Sequence, residues 1–242
     1  MKKLKVIAIL LAITTLTNVH AVLQSRDGVD VLKNTTVSDF FKKSREMEAV
    51  GGILGLNATF AENATTGEYE ETSASNSIDP HMCKNTEWGA VAMLSASNYG
   101  AGNGKVSSSY NSTSKTYGVI ASTTGNMSGV FGMRSGAASH EYVAGGIISR
   151  MNSSYTKYLI NAHSRYVDSY ADGSSSSDFT RYIPGDATYE TKTFSGGGGL
   201  FVYSSYPVFH RGGSGVFSSN SYYGDPGSAC SSRVAVWVGT GL

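Results

Sequence analysis

The chain has two cysteines and four prolines in 242 residues, and only 15% of it is charged. So little cysteine excludes a disulfide-dense scaffold and a thiol-rich zinc site, both of which need more sulfur ligands. Cys83 and Cys230 can close one long loop in an exported chain, or stand as two buried thiols. A formal charge of +1, with no basic run after the first residues, lacks the electrostatic footprint of nucleic-acid binding, so no nucleic-acid partner is expected. Past the N-terminus there is no apolar run near the roughly 20 residues that span a bilayer, so no transmembrane segment is expected there. What is plentiful is glycine, with 29 residues, and tyrosine, with 15. The length suffices for one sizeable core.

The chain begins MKKLKVIAILLAITTLTNVHA. Lys2, Lys3 and Lys5 form a basic start, Val6 to Leu16 an apolar stretch, and Val19-His20-Ala21 a small-residue cleavage site. That order reads as a secretory signal over residues 1–21, and predicts a secreted or cell-surface location. Residues 22–78 then read as an N-terminal helix and polar linker, and 79–242 as the main domain. Within the first part, VSDFFKKSREMEAVGG (37–52) predicts a short helix capped by Ser38 or Asp39 and stopped at Gly51-Gly52. Phe40 and Met47 share its apolar face, while Lys42, Lys43, Arg45 and Glu46 are expected in water. A helix this short must dock on its own domain or on a neighbouring subunit, which leaves an oligomer through this helix open. Residues 57–78 are polar and short of large apolar side chains, as in a linker or an exposed coil.

In the main domain, KNTEWGAVAML (84–94) sets Trp88, Val91 and Leu94 at helical spacing after a Thr86 cap. Short Val, Ile, Tyr and Phe runs follow between Gly/Ser/Asn clusters, at 117–122, 142–148, 157–162, 199–205 and 233–239, and read as strands. Ser174 to Ser177 and Gly196 to Gly199 read as loop tips. The expected class is α+β, with short twisted strands, one or two packed helices and long loops.

Three segments carry a family likeness: KNTEWGAVAMLSASNYG (84–100), TTGNMSGVFGMRSGAASHEYVAG (123–145), and GDATYET, FVYSSYPVFHRGGSG and SSRVAVWVG within 185–239. In that order they resemble exported bacterial proteins of the formylglycine-generating-enzyme-like, or sulfatase-modifying-factor, branch of the C-type-lectin fold. Gly125-Asn126, Met133, Glu141-Tyr142-Val143, Arg211-Gly212-Gly213-Ser214 and Arg233 stand where that pattern has its Gly-Asn, Met-centred turn, Glu-containing strand, Arg-Gly-Gly-Ser and last-strand arginine. The resemblance implies a C-type-lectin-like domain of the formylglycine-generating-enzyme type over 79–242, with Arg211, Gly212, Gly213, Arg233, Glu141 and Trp88 as its structural residues. Some proteins with this fold are diversified by retroelements in their last segment, on an exposed face after the Arg-Gly-Gly-Ser. The departures bear on function. The oxidase members carry a metal-binding cysteine pair after Arg-Gly-Gly-Ser, where this chain has Gly215 to Ser219. The calcium-holding Asn before the Glu is Ala138, which leaves Glu141 alone to recruit an ion that takes about six to eight oxygens. No cofactor is therefore expected, with calcium the one weakly supported candidate.

Other chemistry is as sparse. His81, His140, His163 and His210 share no metal-ligand spacing, and no nucleophile elbow of the GxSxG kind occurs. No catalytic residue is assigned and no enzyme activity is expected. FHRGGSGVFSSNSYYGDPGSACSSRVAVW (209–237) is different: after Arg211, Gly212 and Gly213 it offers Phe217, Ser218, Ser219, Asn220, Tyr222, Tyr223 and Asp225. Tyrosine supplies large amphipathic area with only two torsions to freeze, and Ser, Gly and Asn adapt their hydrogen bonds, as in antibody contact loops. Either this is a polar surface excursion, or it is a non-catalytic binding surface for a protein or glycan at a cell surface, helped by Tyr203, Tyr206, Tyr166 and Tyr170. A structural surface or pilus-like subunit and a degenerate oxidase are the alternatives.

Overall fold

The computed structural model describes residues 24–26, 29–33, 35–49, 58–73, 78–96, 110–111, 116–117, 136–151, 153–177, 181, 183–184, 188, 201–213, 219–226 and 230–238. The expected signal peptide, the Gly125-Asn126 and Met133 segments, and Phe217 and Ser218 lie outside them.

In chain order the strands are β1 (Gln24–Arg26), β2 (Val29–Lys33), β3 (Thr59–Glu62), β4 (Tyr69–Ser73), β5 (Ile78–Met82), β6 (Tyr110–Asn111), β7 (Thr116–Tyr117), β8 (Gly136–Gly146), β9 (Asp168–Ser169), β10 (Val208–Gly213), β11 (Ser219–Tyr222), β12 (Cys230–Ser232) and β13 (Val234–Val238). The helices are α1 (Val37–Arg45), α2 (Asn85–Ala96) and α3 (Ser153–Ile160). The chain is a mixed α+β protein. Its main sheet runs β1-β2-β12-β8-β10-β11, with β9 also pairing β8, and β5 pairs β13 in a separate two-stranded sheet.

β8 is the spine. Its partner along one edge is β10, antiparallel; along the other lie β12 at His140 and Glu141, Lys84 at Ala144, and β9 at Gly145 and Gly146. Successive side chains of a strand point to opposite faces, and here both faces are buried. Tyr142 and Ala144 join Val208 of β10 under α1 and α3, with Val37, Phe40, Phe41 and Leu159. Val143 and Ile147 join Phe209 on the opposite side, with Trp88 of α2, Tyr170 and Phe201.

Helix α1 therefore docks on its own chain. Val37, Phe40 and Phe41 are all at most 1% exposed, so this apolar face is not available to a neighbouring subunit. Its N-cap is Thr36, whose hydroxyl accepts from Asp39 N at 3.0 Å, and not Ser38 or Asp39. Asp39 instead fills the third helical position, and the buried Ser38 hydroxyl accepts from Tyr158 N of α3 at 3.0 Å. Arg45, expected in water, is 2% exposed. Its guanidinium pairs with Asp79, donates to Pro80 O at 2.8 Å, and lies 4.3 Å from the Tyr166 ring centre.

Two further expectations are corrected. The polar stretch after residue 57 contains the β3-β4 hairpin, turned by Asn63, whose side-chain oxygen accepts from Thr65 N and Thr66 N. Tyr69 anchors it: the ring stacks on Phe60 at 5.7 Å, and the hydroxyl donates to Glu46 at 2.6 Å. Residues 157–162, read as a strand, belong largely to α3, whose Thr156 and Leu159 are buried. Helix α2 forms as the Trp88 spacing predicts, but starts at Asn85. Lys84 N donates to Glu87 at 2.8 Å and Thr86 N to Asp168 at 2.7 Å, so a carboxylate from β9 completes the start that Thr86 was expected to cap.

Candidate functional site

The residues assigned to structure meet in one buried cluster. Arg211 and Glu141 face each other across β10 and β8, and Ser231 of β12 pairs Glu141 on the opposite edge. Glu141 is fully buried and both its oxygens accept from Arg233, Nε at 2.6 Å and Nη2 at 2.7 Å. The Arg233 guanidinium lies 4.9 Å from the ring centre of Trp88. Burial opposes the charge on Arg233, but the adjacent Glu141 carboxylate outweighs it and holds the guanidinium above its ordinary pKa. Both carboxylate oxygens of Glu141 are thus engaged by an arginine. Arg211, also fully buried, donates through Nε to Asn85 Oδ1 at 2.7 Å, and Asn85 Nδ2 donates to the Tyr170 hydroxyl at 2.6 Å. Gly212 and Gly213 continue β10 opposite His140 and Gly136, with a register shift between them. Asn85 was missed by sequence reading. Only its place between a helix start and a buried arginine gives it a role.

Above this cluster stands a tyrosine surface. The segment expected as one loop from 215 to 232 holds β11 and β12, because Ser219–Tyr222 pairs antiparallel with Val208–Arg211. Ser219 and Asn220 occupy β11; their side chains lie outside the described residues. Tyr222 and Tyr223 end the strand 37% and 47% exposed. They meet a second element, the tight turn in which Tyr203 and Tyr206 exchange backbone hydrogen bonds of 3.2 and 2.9 Å. Ring centres lie 5.3 Å apart for Tyr203 and Tyr206, 4.5 Å for Tyr206 and Tyr223, 6.2 Å for Tyr206 and Tyr222, and 6.4 Å for Tyr222 and Tyr223. Each such pair contributes about 0.5–1.5 kcal/mol beyond its buried area. From Tyr222 the contacts continue inward to His210 at 5.6 Å and Tyr142 at 6.5 Å.

The surface is held from below. Gly224 O accepts from Val37 N at 2.9 Å and Asp225 O from the Tyr142 hydroxyl at 3.1 Å, which moors the end of β11 to α1 and β8. Arg181 holds the other element. It donates to Ala171 O, Ser175 O and Val202 O and lies 4.6 Å from the Phe201 ring centre, so the expected Ser174–Ser177 tip is stapled to the turn. A hydrogen bond with Tyr206 is the main cause that raises the Tyr223 phenol above its ordinary pKa.

Tyr166 and Tyr170, expected as helpers, are 6% and 7% exposed and belong to the core. Tyr166 packs beside Arg45, and burial foremost pushes its phenol up to about 12. Cys83 is a buried free thiol, driven above its ordinary pKa mainly by burial. Its carbonyl accepts from Ala144 N, whereas Cys230 pairs His140 on the same strand. Lys84 pairs Ala144, which sets Cys83 beside Val143, three residues from His140; three residues of a strand are about 10 Å, beyond the roughly 7 Å that a disulfide can bridge. Among the described residues no three His, Cys, Asp or Glu side chains converge as a metal site would need, and no helix is long and apolar enough to cross a membrane.

Comparison with protein-family models, with curated proteins and with solved structures finds no match to this chain.

Proposed function

We propose that this chain is a secreted or surface-displayed, non-catalytic binding module that recognises a protein or glycan through the tyrosine surface of Tyr206, Tyr222 and Tyr223. We further propose that its domain is C-type-lectin-like, of the formylglycine-generating-enzyme type. One observation carries the functional reading: two half-exposed tyrosines at the end of β11 lean on a third from a separately stapled turn. Binding would bury ring faces, while hydroxyls and neighbouring polar groups set orientation. Rings already packed against one another lose little side-chain freedom on binding, which favours affinity. The family reading draws support from the convergence of Glu141, Arg211, Arg233 and Trp88, the residues named by the resemblance, on one buried cluster.

The test is a protein and glycan array probed with the exported chain and with the triple variant Tyr206→Ala, Tyr222→Ala, Tyr223→Ala. Ligands found for the parent should be lost by the variant, with the melting transition retained. Undiminished capture by the variant would remove the site from this surface.

A further inference from the structure

We propose that Tyr206 and Tyr223 form a modification site, at which a one-electron oxidant joins the two rings through their ortho carbons as dityrosine and closes the mouth of the β10-β11 hairpin covalently. The proposal does not depend on whether the surface binds a ligand.

The register of the hairpin sets the two residues together. Val208 of β10 pairs Tyr222 of β11, so Tyr206 and Tyr223 flank its open end, one on each side. Their ring centres lie 4.5 Å apart, closer than those of Tyr203 and Tyr206 at 5.3 Å or of Tyr69 and Tyr158 at 5.2 Å. Rings at that separation are in contact. A hydrogen bond joins their hydroxyls. Each ortho carbon is bonded to the carbon that carries the hydroxyl, so the bond that draws the oxygens together draws ortho carbons together as well. Tyr223 is 47% exposed and Tyr206 half-buried, so an oxidant in solution reaches the pair, whereas Tyr69, at 8%, is shielded.

The chemistry balances with hydrogen peroxide and a haem peroxidase as the oxidising pair. Each phenol loses one electron and its hydroxyl proton and becomes a phenoxyl radical, whose unpaired electron is shared with the ortho carbons. One such carbon on each ring contributes an electron to the new carbon–carbon bond. The proton displaced from each joined carbon returns through solvent to that ring's oxygen and restores the phenol. Two protons and two electrons leave in all, and peroxide takes them up to form two waters. Holding the rings in contact replaces a bimolecular encounter of radicals by an intramolecular step.

The experiment exposes the full chain, dilute, to peroxidase and limiting peroxide, and follows dityrosine fluorescence and mass. The monomer should lose two hydrogens. Trypsin cleavage after Lys192, Arg211 and Arg233 separates 193–211 from 212–233; the crosslink should hold these two peptides together, with fragmentation placing it on Tyr206 and Tyr223. Relative to free tyrosine coupled under the same conditions, the yield should fall about tenfold or more in urea, where the fold no longer holds the rings together. Tyr206→Phe and Tyr223→Phe should each abolish that crosslink, and Tyr203→Phe should leave it. A crosslink found in covalent dimers alone, one placed on Tyr203 or Tyr222, a relative yield unchanged in urea, or none where free tyrosine in the same mixture couples would each overturn the proposal.

Discussion

Replacing Glu141 by Gln tests whether the buried charge pair holds the last strands to the sheet. The substitution keeps shape and removes charge. Glu141 is fully buried and accepts two hydrogen bonds, of 2.6 and 2.7 Å, from Arg233, whose side chain is 14% exposed. Removing one partner of a buried pair costs about 3–5 kcal/mol, since the other charge is left desolvated and unmatched. Gln keeps one acceptor oxygen, and the edge of Arg233 can reach water, so the lower end, about 3 kcal/mol, is expected. That is a large share of the roughly 5–15 kcal/mol by which domains are stable. Arg233→Met should cost more, because it strands the fully buried carboxylate. Urea unfolding of the two single variants and the double variant measures this: the double should be less damaged than the sum of the singles, by a coupling of about 1–3 kcal/mol. A loss below about 1 kcal/mol for Glu141→Gln, or simple additivity, would show that the pair contributes little to holding β12 against β8.

Gly224→Ala should destabilise by about 2–3 kcal/mol, because φ is +91° there and a Cβ would meet Val37 Cγ1 at 2.7 Å; thermal unfolding reads it, and a neutral result would mean that the end of β11 is not moored to α1. Tyr206→Phe should bring the Tyr223 phenol back toward its ordinary pKa near 10. The folded-state pKa is raised, so this stabilisation is full below about pH 10 and fades as pH climbs through the folded value, which ring-labelled tyrosine NMR can follow. Burial opposes ionisation of Glu87, but hydrogen bonds from His81, Lys84 N and Trp237 outweigh it and lower its pKa. This stabilisation is present above the ordinary Glu value and lost as pH falls through the lowered one; in a Trp88→Phe background, Trp237 emission should change only below about pH 4.3, and a midpoint above that would contradict the assignment.

The sequence announced the elements that one period dominates. Trp88 and Val91 gave α2, Phe40 and its neighbours gave α1, and the Val-rich run gave β13. It was silent where long-range partners decide. Arg45 looks solvent-bound on a helical wheel, and only Asp79, Pro80 O and the Tyr166 ring, all distant in sequence, turn it inward. The run at 157–162 is rich in Tyr and Ile and so reads as strand, yet Leu159 and Thr156 lie on one face that α1 covers. The hairpin at 59–73 hides in polar composition because Tyr69 is its one deeply buried ring. At the site, Tyr222 and Tyr223 were legible as surface chemistry. Their partner Tyr206 was legible only as a helper, since nothing local says that a turn stapled by Arg181 will meet the end of β11.

That meeting bears on how the surface would work. Immobilising a side chain on binding costs about 0.5 kcal/mol even at the low end where a two-torsion tyrosine lies, so three loose tyrosines would forfeit on the order of 1–2 kcal/mol of any contact they made. Here Tyr222 rests on His210 and Tyr142, and Tyr223 on Tyr206, before any ligand arrives. Tyr142 in turn accepts from Ser232 Oγ at its carbonyl and donates from its hydroxyl to Asp225 O. The order of the surface thus depends on β12 staying on β8, beside which Glu141 and Arg233 pair. Glu141→Gln should therefore weaken binding at the tyrosines even in molecules that remain folded, by loosening Asp225 and Tyr222 rather than by removing a contact. Arg181→Ala should do the same from the other side, by freeing the turn that presents Tyr206.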